Sequence, residues 1–291
     1  MLPSLVSFPS STGSLLAEVS EPDLNFSFSA EDILLLVIGC ITLTGLLFFL
    51  LTLFKKLTRI KEIRKKEKYQ AIIDVLLFDL LFNEVNVKET IESPQFSEHQ
   101  QKKLFQQLMI KTIIGLHQNY SGIYRKKLET FYAESGLAEY SLKKLNAENW
   151  AHTVEGIRDL SSLSYMPAYP RIVSLQNHKN NFVKTEVLLG LIKLKGISEL
   201  LHFTRSLVYF NDWIQSNILY VVKNHKIPAP ENLSDLLKSK NRSILLLAAR
   251  LINYYGLAEH YSSLSTFYSN TNDPALKKEI AQILNRTEQL Q

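Results

Sequence analysis

From Ile33 to Phe54 the chain runs for 22 residues without a charged side chain, and nothing more polar than threonine, glycine and Cys40 interrupts it. At about 1.5 Å per residue, a helix of that length reaches roughly 30 Å, the hydrocarbon thickness of a bilayer. Core helices of soluble proteins seldom sustain so long a charge-free run. A cleaved signal peptide would open on a charged segment and be shorter, whereas this run follows a leader of uncharged or acidic residues. The sequence therefore predicts a single N-terminal transmembrane helix over residues 33–54.

Charge gives the predicted span a direction. Residues 1–32 carry Glu18, Glu21, Asp23, Glu31 and Asp32 and no Lys or Arg, a net of −5. Directly after the span come Lys55, Lys56, Arg59, Lys61, Arg64, Lys65, Lys66 and Lys68, with two acids among them, a net of +6 for residues 55–68. Basic flanks stay on the cytoplasmic side, so residues 1–32 read as a largely disordered extracytoplasmic tail and the rest as cytoplasmic. The same eight cations are the expected membrane-surface residues, each contributing about 1 kcal/mol against an anionic head-group layer. Of the whole-chain charge of +5, about +4 is left for residues 69–291, too diffuse for a nucleic-acid footprint.

Beyond the span, 46% hydrophobic residues suffice for a core, and only 10 Gly and 9 Pro in 291 residues favour helices over a turn-rich sheet protein. The expected class is all-α. One cysteine excludes an internal disulfide and a cysteine-based zinc cluster. Residues 55–82 read as a basic juxtamembrane stalk that continues the helix, with Ile72, Val75, Leu76, Asp79 and Leu80 on its packing side. Residues 83–146 read as an irregular helical cap region. It contains a loop over Asn83–Pro94, a helix from about Ser97 with a hydroxyl cap, and a helix over about Ser121–Ser135 that stops at Gly136. The charged face of that last helix, Arg125, Lys126, Lys127 and Glu129, reads as solvated. A short helix follows near Ser141–Leu145.

Residues 147–291 carry a repeat. Val183, Ile214, Leu245 and Leu276 stand 31 apart and are apolar; one turn later so are Val187, Ile218, Ala249 and Ile280. A capping group precedes each set: Asn180 or Asn181, Asn211 or Asp212, Asn241 or Ser243, and Asp273 ahead of Pro274. A second apolar helix is expected in each unit, over Ile197–Val208, Asn232–Leu237 and Leu257–Tyr268. An earlier unit, Asn149–Leu175, fits with a looser spacing of 33 or 34, setting Gly156 and Ile157 over Gly190 and Leu191. Helix pairs that cannot bury their faces alone stack into a solenoid.

These residues resemble the HEAT-repeat family, particularly bacterial membrane-anchored members. Asn272-Asp273-Pro274-Ala275-Leu276-Lys277-Lys278-Glu279-Ile280-Ala281 looks like the family's Asp-Pro, aliphatic-basic and alanine pattern, and Asn181-Phe182-Val183-Lys184 echoes it. Gln215 and Leu246 depart from it where a basic residue is expected. The resemblance implies an α-solenoid whose concave face is lined by residues 181–195, 212–224, 242–254 and 274–286. Lys184, Gln215 and Lys277 are then equivalent partner-binding positions. It further implies a scaffold on the cytoplasmic face of the bacterial inner membrane, with membrane glycosyltransferase or envelope-assembly machinery as a candidate partner.

Enzymatic motifs are missing. The seven histidines form no close ligand pair, and there is no Gly-rich phosphate loop or nucleophile elbow. No catalytic residue, cofactor or metal is expected. Two other readings stand beside the scaffold: an enzyme whose site is assembled in residues 83–152 from His117, Tyr120, Glu134 and His152, and a lipid-sensing module acting through residues 55–68. The aromatic residues Trp150, Tyr165, Tyr169, Trp213, Tyr254, Tyr255, Tyr261 and Tyr268 read chiefly as packing between repeats.

Overall fold

The computed structural model describes residues 29–83, 85–203, 209–231 and 233–288, which are helical with no strand among them. Helix α1, Ala30–Phe82, extends 53 residues without a break. It has no proline, and Ser29 caps its start through a hydroxyl that accepts from the Asp32 N–H at 3.2 Å. Two units divide the chain, Met1–Lys61 and Glu62–Gln291.

In the first unit the stretch Ile33–Phe54 is exposed throughout, with the length and composition of a helix able to cross a membrane. Its threonines are satisfied internally: the hydroxyls of Thr42 and Thr52 donate to the carbonyls of Ile38 and Phe48 at 3.0 and 2.8 Å. The acidic tail expected over residues 1–32 lies outside the described residues except for its last four positions.

The second unit begins with the remainder of α1, whose buried side is Tyr69, Ile73, Leu76, Leu77, Leu80 and Leu81. Val75, expected on that side, is exposed. Helices α2 (Val87–Glu92), α3 (Pro94–Ser97), α4 (Lys103–Asn119), α5 (Ile123–Glu134) and α6 (Leu137–Lys144) follow. Together with α1 they bury Phe96, Phe105, Met109, Ile113, Leu128, Phe131 and Tyr132. Each such side chain contributes about 1.5–3 kcal/mol relative to exposure.

Several local expectations change here. The stretch expected to be a loop holds α2, where Glu89 accepts from the Asn86 N–H at 3.2 Å in a capping-box arrangement. The cap expected at Ser97 is Ser93, which accepts from the Phe96 N–H, and the long helix starts at Lys103. The α5 face expected to be solvated is engaged: Lys127 donates to the Leu80 carbonyl at 3.0 Å, and Arg125 to the His117 carbonyl at 3.3 Å. Each cation thereby satisfies a carbonyl in the last turn of a helix, where no intrahelical partner exists. Gly136 does stand after α5 with φ +80°, a left-handed conformation that suits glycine.

Helices α7 (Trp150–Ser162), α8 (Tyr169–Ser174), α9 (Asn181–Lys195), α10 (Asp212–Asn224), α11 (Arg242–Tyr255), α12 (Tyr261–Asn270) and α13 (Pro274–Glu288) complete the unit. Four of the expected caps are in place. Asn180, Asn211, Asn241 and Asp273 accept from the N–H groups of Phe182, Ile214, Ser243 and Leu276. Asn149 does the same for Ala151, exactly one 31-residue step before Asn180, so the beat of helix starts reaches back to α7 without loosening.

The apolar positions follow suit: Val187, Ile218, Ala249 and Ile280 are each fully buried. Helix α9 joins two cores, giving Val183, Val187 and Leu191 to the first and Leu188, Leu189 and Ile192 to the second. Two of the expected second helices are instead short 3₁₀ segments, Ile197–Phe203 and Leu233–Lys238. The second keeps the expected place, while residues 204–208 and Asn232 lie outside the described residues.

Candidate functional site: an aromatic-rimmed groove

The capped starts of α7, α9 and α10 each carry a large aromatic residue, Trp150, Phe182 and Trp213, one or two positions after the cap. The caps fix the first turn, and the first turn aims these side chains outward. Trp150, Phe182 and Trp213 are 43%, 58% and 57% exposed. Trp150 and Phe182 stack with ring centres 5.3 Å apart and planes 18° from parallel. Trp150 thus packs between repeats, as expected, against Phe182, while both tryptophans keep about half of their surface exposed. Their place at the helix start lifts them clear of the layer formed by residues further along.

A groove of about 490 Å³ runs beneath this rim, with Tyr220 of α10 on its far side. Its floor is charged. Arg158 of α7 donates through Nη2 and Nε to both carboxylate oxygens of Glu186 of α9, at 2.7 and 3.3 Å. Lys193, about two helical turns further along α9, donates to the Ser162 hydroxyl at 3.3 Å and lies 4.0 Å from Glu186 Oε1. The Glu186 and Lys193 side chains are each 8% exposed.

Burial pulls the Lys193 ammonium below the usual lysine range; Glu186 and, more weakly, Asp159 oppose that pull and Arg158 adds to it. Burial likewise holds the His225 imidazole at about 4, with Lys193, His117 and Arg125 adding to the depression, so His225 is neutral near pH 7. The hydrogen bond to Glu186 raises the Arg158 guanidinium further.

The Arg158–Glu186 contact has a counterpart. Arg158 stands nine positions after its cap Asn149 and Glu186 six after Asn180; Arg250 stands nine after Asn241 and Glu279 six after Asp273. Arg250 reaches Glu279 at 2.8 Å, and on its other side Asp212 and Gln215 at 2.9 Å. Equal positions counted from the cap thus form equal rungs between α7 and α9 and between α11 and α13.

The sequence-expected partner residues do not converge. Lys184 lines a second hollow of about 750 Å³ on the other side of Phe182 and Trp213. Gln215 is 2% exposed and donates to the Phe210 carbonyl at 2.9 Å and the Ser243 carbonyl at 3.3 Å, so it is an internal brace and presents nothing to a partner. Lys277 lies over the Tyr268 ring at 5.7 Å. All eight cations of residues 55–68 are exposed along α1.

The four residues considered for an assembled enzyme site have separate surroundings. His117 is buried and hydrogen-bonded to Glu129 at 2.9 Å. Tyr120 packs on Phe82 and Tyr124. His152 pairs with Glu155 at 3.6 Å, and Glu134 is exposed. Among the described residues, no group of three or more His, Cys, Asp or Glu is arranged to hold a metal ion.

Sequence reasoning missed the rim and floor because period analysis selects buried positions. The available signal was an aromatic residue after each cap at 150, 182 and 213. Comparison of the chain with family models, with curated proteins and with solved structures returned no match.

Proposed function

We propose that the chain is a single-pass membrane protein whose repeating helices form a HEAT-like α-solenoid, and that this solenoid is a scaffold binding a protein partner through the groove on α7, α9 and α10. The observation that carries the reading is the exposed aromatic rim. Three large aromatic side chains, one or two positions after the caps of α7, α9 and α10, stand partly exposed around a charged floor. Tryptophan and arginine at a concave, partly desolvated place are the residue types that dominate protein interfaces. Leaving each aromatic exposed forgoes about 1.5–3 kcal/mol of burial that a partner can supply.

The solenoid reading is supported by side-by-side packing of α7 on α9, α9 on α10 and α11 on α13, with the 3₁₀ segments and α12 packing on one another as a second row. Membrane attachment rests on the exposed apolar stretch of α1, and the reading of the repeats as cytoplasmic rests on the basic residues that follow it; a bacterial inner membrane is what the sequence resemblance implies. Membrane glycosyltransferase or envelope-assembly machinery is the partner class that the sequence resemblance suggests. Contact of the exposed residues 55–68 with anionic lipid head groups is compatible with this role and adds to the anchoring.

Photo-cross-linking in intact membranes tests the reading. A benzophenone amino acid replacing Phe182 or Trp213 is expected to yield discrete protein adducts. The same probe replacing Ile123, which is 69% exposed on α5, is expected to yield none. Equal labelling at all three positions, or no protein adduct at the rim, refutes the reading.

A further inference from the structure

The floor of the groove leaves one ammonium short of acceptors. Arg158 holds both oxygens of Glu186, and Asp159, which also acts on Lys193 through space, is itself held by Lys144 at 2.8 Å. Lys193 has three N–H donors. The Ser162 hydroxyl takes one at 3.3 Å, and Glu186 Oε1, at 4.0 Å, lies beyond hydrogen-bond distance. Buried ammonium groups are costly unless paired, and His225, neutral near pH 7, supplies no countercharge.

We propose that the groove receives an acidic side chain from an extended segment of the partner polypeptide, its carboxylate pairing with Lys193 while the flanking residues lie against Phe182 and Trp213. This inference rests on the scaffold reading and names the chemistry of the bound segment. One buried ammonium with unused donors matches one carboxylate, which accepts through two oxygens. A volume of about 490 Å³ holds a few side chains and no folded element. The open aromatic rim gives an extended chain a flat apolar surface on either side of the acid.

The chain contains two tryptophans, Trp150 and Trp213; both line this groove and Trp213 also borders the second hollow, so the Lys193 variants show which of the two a peptide occupies. Full-length protein in detergent micelles is titrated with the heptapeptide Gly-Pro-Leu-Asp-Leu-Pro-Gly, blocked at both ends, and with its Asn counterpart. The Asp peptide is expected to shift the tryptophan emission saturably and to bind about tenfold more tightly than the Asn peptide. In Lys193→Met that preference disappears, and in Lys193→Arg it returns, while unchanged circular dichroism shows that both variants are folded.

Equal affinity for the two peptides, no binding of the Asp peptide at millimolar concentration, or a preference surviving in Lys193→Met overturns the inference. So does inorganic phosphate displacing the Asp peptide at equal concentration, which would assign the floor to phosphate-bearing ligands. Rim cross-links together with indifference between Asp and Asn would sink this inference and leave the scaffold standing. Absent cross-links would remove the scaffold first.

Discussion

Gly115, Gly156 and Gly190 occupy helix interiors in the larger unit, and they differ in what an added methyl group would meet. A β-carbon at Gly115 of α4 meets nothing within 4 Å. At Gly190 of α9 it meets the Ile157 Cγ2 at 2.9 Å and otherwise ordinary contacts at 3.5 Å. At Gly156 of α7 it meets the Ser141 carbonyl oxygen at 2.8 Å, the Lys144 Cβ at 2.9 Å and the Leu145 Cδ2 at 3.2 Å.

Alanine gains about 1 kcal/mol of helix propensity over glycine at every one of these sites. Packing decides the rest. Gly115→Ala keeps the gain, about 0.5–1 kcal/mol. Gly190→Ala comes out near zero, because one side-chain methyl can move aside at a cost similar to the gain. At Gly156 the obstacle is the backbone of α6, which cannot shift without disturbing the buried Lys144–Asp159 contact at 2.8 Å. Overpacking of about 1–3 kcal/mol then outweighs propensity, and a net loss of about 1–2 kcal/mol is expected.

For a unit of this size that loss lowers Tm by roughly 2–8 °C, whereas Gly115→Ala raises it by roughly 1–4 °C. Thermal unfolding of the full chain in detergent, followed by circular dichroism and tryptophan emission, gives the order Gly115→Ala, Gly190→Ala, Gly156→Ala from most to least stable. If Gly156→Ala were as stable as Gly115→Ala, close packing of α6 on α7 would not be what requires the glycine, and the reasoning would be refuted.

Two further outcomes follow from buried charge. Lys144→Met leaves the Asp159 carboxylate, 10% exposed and otherwise held by the Ser141 hydroxyl at 3.3 Å, without its cation, and is expected to cost about 3–5 kcal/mol. Lys144→Met/Asp159→Leu should recover most of that in urea unfolding, and an additive double mutant would contradict the pairing. His225, held at about 4 against an ordinary 6.5, binds its proton more readily when unfolded; its contribution is fully present above pH 6.5 and fades as pH falls toward 4. Between pH 7.5 and pH 5 the loss from this group is on the order of 1–2 kcal/mol, and His225→Asn should flatten the stability profile in that interval.

How much could be read in advance depended on the range of the interaction. Helical class, the exposed apolar stretch of α1, the buried positions at 187, 218, 249 and 280, and the caps at 180, 211, 241 and 273 were legible because they are local. A cap answers its own first turn, and a 31-residue beat puts the same kind of side chain on the same face each time. Locally readable too, yet overlooked, was the capping-box arrangement of Asn86 and Glu89 at the start of α2. Gln215 shows the other side. Its position in the repeat equals those of Lys184 and Lys277, but Ser243 of α11 and the Phe210 carbonyl close over it.

The groove belongs wholly to that second category. Whether Trp150, Phe182 and Trp213 end in the core or at its edge depends on how far each helix slides along its neighbour, which no single helix encodes. The Arg158–Glu186 contact spans 28 residues and exists because α7 lies against α9 with Gly190 over Ile157. The sequence by itself determined where helices start, which side of each is apolar and which stretch can cross a bilayer, since hydrogen bonding and burial act there over one or two turns. Tertiary structure alone decided which charges meet, which aromatic rings stay in water and which lysine keeps unused hydrogen-bond donors, since those depend on residues brought together from distant parts of the chain.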